Sequence, residues 1–242
     1  MTNFFSNLRT QQIVASQDKL LKSFLHDRDF ANKMANHPLH ACLGKWLPHD
    51  SNAKILELGC GPGKYVALLS KLDFKDITGV DPHRFPTWDI LEKETSVKLL
   101  DNIFAEQLPF ADASFDYVVC LGALLYFQNP DKAFSEISRV LKPNGRLILR
   151  TVNKNNLYTL RTGEKLDPAS NNLYTMQELM GFVSTKGFQI IDSFAFGYHP
   201  PILPSLWWYL SCVWIPTFMQ ELLSNSLQPE YRINNAICAV KL

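Results

Sequence analysis

Residues 55–64 read ILELGCGPGK: apolar residues around Glu57, then glycines at positions 59, 61 and 63. A strand-like run, AKILELG, leads into this stretch, and a helix-like one, KYVALLSKL, leads out of it. Fixing a glycine in a regular element costs roughly 0.5–1 kcal/mol against alanine. Three of them in five residues therefore mark a backbone that turns tightly and lets something lie close against it.

The rhythm continues downstream. DITGVD reads as a second strand, TWDILEKET as a helix and SVKLLDNI as a third strand. SFDYVVCLG reads as a fourth strand, followed by the amphipathic helix PDKAFSEISRVLK, a break at Asn144-Gly145, and a fifth strand in RLILRTVN. Strands alternating with helices predict a parallel sheet covered by helices on both faces, and short, continuously apolar strands fit burial on both sides. Residues 153–172 are polar and read as a loop. Thr175 and Glu178 have the spacing of a capping box that opens the helix MQELMGFVSTK. GFQIIDSFAFG and NNAICAVKL read as the last two strands, with a Pro- and Trp-rich insert at 198–232 between them.

Upstream, residues 10–47 carry apolar positions at helical spacing, and Pro48 to Asn52 form a turn cluster. This divides the chain into an N-terminal helical cap, 1–49, and a main domain, 50–242.

The bulk properties narrow the function classes. The 242 residues carry a net charge of +1, so neither a basic excess for nucleic acid nor an acidic tail is present. Cys42, Cys60, Cys120, Cys212 and Cys238 are odd in number, widely spaced and without a CxxC. That pattern argues against a disulfide framework or metal site and for a reducing, cytoplasmic setting. The start, MTNFFSNLRTQQ, lacks the basic and apolar regions of a secretory signal. ILPSLWWYLSCVWIPTFM, residues 202–219, is strongly apolar, but Pro204 and Pro216 break it. It is also shorter than the roughly 20 apolar residues a bilayer span needs.

In open α/β sheets, ligands bind outside the carboxyl ends of the strands. A dinucleotide loop has the spacing G-x-G-x-x-G, whereas here the third glycine comes one residue early. The second strand ends in Gly79-Val80-Asp81, which places an acid where it can accept hydrogen bonds from ribose hydroxyls. These motifs, with FAEQLPFADASFDYVVC and SEISRVLKPNGRLIL in order behind them, resemble the class I S-adenosylmethionine-dependent methyltransferases. The particular likeness, over roughly residues 50–192, is to the ubiquinone and menaquinone C-methyltransferase group.

The resemblance implies a Rossmann-like α/β fold with a seven-stranded, mostly parallel sheet, helices on both faces and an antiparallel last strand. It implies S-adenosyl-L-methionine as cofactor. Glu57 takes the position of the acid that orients the glycine loop, and Gly59, Cys60, Gly61 and Gly63 line the methionine part. Asp81 holds the ribose hydroxyls, Pro82 flanks the adenine, Ala105 and Glu106 meet its edge, and Cys120 and Leu121 border the methionine through their backbone. One position departs from the family: Phe104 stands where an acid often binds the adenine amino group.

Catalytic residues are hard to read, because a sulfonium methyl needs only an aligned nucleophile in a dry pocket. His199 and Tyr126 are the candidates, with His37 and His40 behind them. The insert's Trp207, Trp208 and Trp214 are candidate walls of a hydrophobic substrate pocket; core packing, a dimer contact or a peripheral membrane contact are the other readings. The expected function is methyl transfer to a small, apolar or lipid-like acceptor by a monomer or homodimer without nucleic acid or metal. A cofactor-binding regulatory or assembly protein lacking transferase activity is the alternative.

Overall fold

The computed structural model describes residues 43–197 and 227–242. Most of the N-terminal cap and of the insert, with His37, His40, His199, Trp207, Trp208 and Trp214, lies outside the described residues.

Seven strands form one sheet: β1 (Lys54–Leu58), β2 (Asp76–Val80), β3 (Lys98–Leu100), β4 (Phe115–Leu121), β5 (Leu141–Val152), β6 (Phe188–Phe196) and β7 (Asn234–Lys241). Their order is β3-β2-β1-β4-β5-β7-β6. The first five run parallel, and β7 is antiparallel to both of its neighbours, β5 and β6. The expected fold class is the observed one.

Alternate residues of each strand feed different cores. Ile55, Val119, Ile148 and Cys238 join α1 (Lys64–Lys71) and α2 (Trp88–Glu94) on one face. Leu56, Val118, Leu147 and Ile237 meet α3 (Pro130–Val140) and α5 (Met176–Thr185) on the other. Burial on both sides is why the strands read as continuous apolar runs.

The helix ends follow local chemistry. Asn129 caps α3 by accepting from the Lys132 N–H at 3.0 Å, and Pro130 stands in its first turn. The capping box of α5 is complete: the Glu178 N–H donates to Thr175 Oγ1 at 3.2 Å, and the Thr175 N–H donates to Glu178 Oε2 at 2.8 Å.

Two expectations need correction. The polar stretch 153–172 contains a short helix, α4 (Leu157–Thr162). Asn156 caps it through the Thr159 N–H at 3.0 Å, and Gly163, at φ 73°, ends it. The fifth strand begins at Leu141, ahead of the Asn144-Gly145 turn, because Leu141 already pairs with Phe115 before the register shifts.

Residues 43–47 pack against one face of the sheet. Leu43, Trp46 and Leu47 are buried in the α1-side core. Trp46 Nε1 and Lys45 Nζ both donate to Asp192 Oδ2, at 2.9 and 2.7 Å.

Candidate functional site

β1 sits where the strand order reverses, with β2 on one side and β4 on the other. The carboxyl ends of adjacent strands open a crevice at such a point. The loop from Gly59 to Gly63 fills one side of it. The N–H groups of Gly59 and Cys60 both donate to Val80 O, at 2.8 and 3.0 Å, tying the loop to the end of β2.

The glycines differ in what they do. A Cβ on Gly59 would stand 2.3 Å from Ala123 Cβ, and one on Gly63 would stand 2.3 Å from Leu91 Cδ1. These two let neighbouring elements close in. A Cβ on Gly61, at φ 51°, would meet nothing within 4 Å. Gly61 therefore presents bare backbone to open space, the surface against which a ligand can lie.

The loop is held from three sides. Trp88 Nε1 donates to Gly61 O at 2.7 Å, and Thr87 Oγ1 donates to Pro62 O at 2.7 Å. The Gly61 N–H donates to Asp81 Oδ2 at 2.9 Å, while Asp81 Oδ1 accepts from the His83 N–H at 2.9 Å. A carboxylate offers about four lone-pair sites, so the largely buried Asp81 keeps acceptor capacity. Sequence reading missed Thr87 and Trp88. The available signal was Trp88 itself, since a buried indole needs an acceptor.

Glu57, 1% exposed, lies beneath the loop. Its Oε2 is buried and meets no hydrogen-bond partner. Burial raises its pKa well above the ordinary carboxylate range; a backbone hydrogen bond from Val66 opposes this, and the Asp81 charge adds to it. Cys60 and Cys120 are buried nearby. Burial foremost raises the Cys60 thiol and pushes Cys120 up to about 12, so both stay protonated.

On the far side of Asp81, Asn102, Ile103, Phe104, Glu106, Gln128 and Lys132 contribute to the lining of a cavity of about 770 Å³. Glu106 Oε1 accepts the N–H groups of Gln128 and Asn129, at 2.8 and 3.1 Å, joining the cavity's two walls. Ala105 is buried and Pro82 half-buried, whereas Phe104 is 47% exposed.

At the end of β4, Cys120 and Leu121 are buried and Gly122 turns the chain at φ 107°. Tyr126 lies in the short turn Leu124–Tyr126, with its hydroxyl donating to Asp167 Oδ2. Burial, then Asp167, pushes this phenol up to about 12. Sequence reading also passed over Arg150, near the end of β5. Its Nε is buried with no hydrogen-bond partner, and its Nη1 lies 2.8 Å from where a Cβ on Gly122 would stand. Burial lowers its pKa, with Tyr65 and Tyr126 opposing.

The partnerless Glu57 oxygen, the open face of Gly61 and the spare capacity of Asp81 fit an amino-acid tail and a ribose. Among the described residues, no group of His, Cys, Asp and Glu is placed to hold a metal ion, and no helix is long and apolar enough to cross a membrane.

Comparison with known proteins agrees with this geometry. Residues 56–149 match the family described as a methyltransferase domain. The chain is 31% identical over 119 residues to a tRNA U34 carboxymethyltransferase of Nautilia profundicola, covering 45% of this chain and 39% of that protein. It is 30% identical over 128 residues to an O-methyltransferase of Aspergillus nomiae, covering 51% and 57%. A sterol 4-C-methyltransferase of Caenorhabditis elegans is 32% identical over 127 residues, covering 50% and 37%. The chain thus spans between 37% and 57% of the lengths of these curated relatives.

Among solved structures, a SAM-dependent methyltransferase from Aquifex aeolicus superposes with a TM-score of 0.60 at 14% identity, covering 93% of this chain and 98% of that one. The [4+2]-cyclase SpnF superposes at 0.63 and 22% identity, covering 84% and 79%. Residues 56–149, from the first strand into the fifth, thus match the class I S-adenosylmethionine-dependent methyltransferases, and S-adenosylmethionine is the cofactor that this match indicates.

Proposed function

We propose that this protein transfers a methyl group from S-adenosylmethionine to a small acceptor with an apolar body. The observation that carries the reading is the meeting, at one switch point, of Gly61's open backbone, Asp81's carboxylate and Glu57's partnerless Oε2. In this reading Asp81 accepts the ribose hydroxyls with the lone pairs that Gly61 and His83 leave. Glu57 orients the loop and accepts from the ammonium of the amino-acid tail, and that cation offsets the burial of its charge. Gly59, Cys60 and Gly63 shape the loop around the tail, and Cys120 and Leu121 border it. Pro82, Ala105 and Glu106 border the base beside the exposed Phe104.

When bound, the cofactor supplies an activated methyl group on a sulfonium. The chain's own part is to align the acceptor atom at about 3 Å and keep water out. A base is needed only if the acceptor must lose a proton. Tyr126 does not act as one near neutral pH, because its raised phenol keeps its proton and hydrogen-bonds through it to Asp167. Its role in this reading is to position the acceptor.

A net charge of +1 gives little of the cationic surface that a nucleic acid's phosphates attract, so tRNA is not carried over from the relative named for it. The apolar stretch 202–219, with Trp207, Trp208 and Trp214, supports an apolar acceptor. Peripheral membrane contact through the insert, and a monomeric or homodimeric state, belong to the same proposal.

The test is label transfer. Purified protein, S-adenosylmethionine with a labelled methyl group and a cell extract split into lipid and aqueous fractions are incubated together, with Asp81→Ala as control. Label in either fraction that is absent from the control supports the reading. Tight cofactor binding with no label in any fraction would turn the conclusion to a cofactor-binding protein without transferase activity.

A further inference from the structure

Arg150 presents a problem that the cofactor site does not solve. It stands opposite Leu121 of β4 and Ala236 of β7, on the α1 face of the sheet shared by Ile148. Its guanidinium reaches over Gly122, with Nη1 2.8 Å from that residue's would-be Cβ. Nε is buried without a partner, and no carboxylate among the described residues forms an ion pair with the side chain. The side chain as a whole is half-buried, and holding its Nε out of water without a hydrogen-bond partner is unfavourable.

A second cation faces the same place. Lys64, the first residue of α1, has no carboxylate partner among the described residues and lies over the ring of Tyr65, 5.2 Å from its centroid. Burial and the nearby Arg150 charge pull its pKa down to about 8. The two cations act on each other beside Tyr65, and neither has an ion-pair partner among the described residues.

We infer that Arg150, supported by Lys64, forms a carboxylate-binding subsite for the methyl acceptor, so that the acceptor is an amphipathic organic acid. A guanidinium offers a planar fork that takes a carboxylate by two parallel hydrogen bonds. The backbone that carries Arg150 stands apart from the one that carries Glu57 and Gly61. Glu57 and Gly61 belong to β1 and its loop, whereas Arg150 belongs to β5, two strands away in the order β1-β4-β5. That is about 10 Å at the usual strand spacing.

The inference rests on the methyltransferase reading, and its test separates the two. Binding of benzoate and of uncharged benzamide is measured by calorimetry on the full chain, with and without saturating S-adenosylhomocysteine. Expected is benzoate binding at least tenfold tighter than benzamide in the unaltered protein. Arg150→Met should abolish the preference, Arg150→Lys should retain part of it, and S-adenosylhomocysteine affinity should stay within about twofold in both. Arg150→Met should also melt no lower than the unaltered protein, since it removes a buried Nε that has no hydrogen-bond partner.

Equal binding of benzoate and benzamide to the unaltered protein overturns the subsite without involving any variant. Loss of S-adenosylhomocysteine affinity in Arg150→Met overturns it too, by assigning the cation to the cofactor tail. A clear fall in melting temperature overturns it by making Arg150 structural. Failure of the unaltered protein to bind S-adenosylhomocysteine counts against the methyltransferase reading instead, and the benzoate comparison still stands alone.

Discussion

The backbone N–H of Gly61 donates to Asp81 Oδ2 at 2.9 Å, so the acid at the end of β2 holds the loop at the end of β1. Asp81→Ala removes both this support and the proposed ribose acceptor. Hydrogen bonds to a charged group contribute about 1.5–3 kcal/mol. Affinity for S-adenosylhomocysteine, measured by calorimetry, should therefore fall more than tenfold. Unchanged affinity would end the ribose role.

The glycines should respond to alanine in different ways. Gly59→Ala drives a methyl to 2.3 Å from Ala123 Cβ, so Ala123 or the loop must move. Gly61→Ala meets no neighbour and bears only the left-handed backbone cost of roughly 1–2 kcal/mol. Urea unfolding should show Gly59→Ala as the more destabilised protein. Gly61→Ala should stay folded but bind cofactor more weakly, because its methyl occupies the open face. The reverse ranking would contradict the division of roles.

Trp88→Phe keeps most of the buried ring and deletes the bond to Gly61 O. An abandoned buried acceptor costs about 1–3 kcal/mol. A stability loss in that range, together with weaker cofactor binding, is expected from paired denaturation and calorimetry. Loss of stability with binding intact would make Trp88 a packing residue only.

Lys64 predicts a pH dependence. Its folded pKa, about 8, lies below the ordinary 10.5. Between these values the unfolded chain binds more protons, so this group's contribution to stability rises with pH. Lys64→Met should be more stable than the unaltered protein below pH 8, and the difference should shrink between pH 8 and 10.5. Urea titrations of both proteins at pH 7, 9 and 10 would reveal this. A constant difference would mean that Lys64 does not titrate there.

What the sequence by itself determined was whatever rests on local pattern. The apolar runs and the capping box located the strands and α5, because burial and capping act over a few residues. The glycine spacing and Asp81 pointed to the candidate cofactor site, because a close backbone approach needs glycine whatever surrounds it. The helix Leu157–Thr162 was missed in a polar stretch, since only its Asn156 cap and Gly163 stop announce it. Tertiary structure alone decided the rest. Which glycine packs and which faces open space depends on Ala123 and Leu91, far along the chain. Trp88 becomes a loop clamp across 27 residues. Arg150 lies in a strand whose alternation puts it on an apolar face, and its buried, partnerless Nε arises only when β4, β5 and α1 meet. Local pattern gives each side chain its neighbours in sequence, but a charge's partners and its access to water are set by the assembled fold.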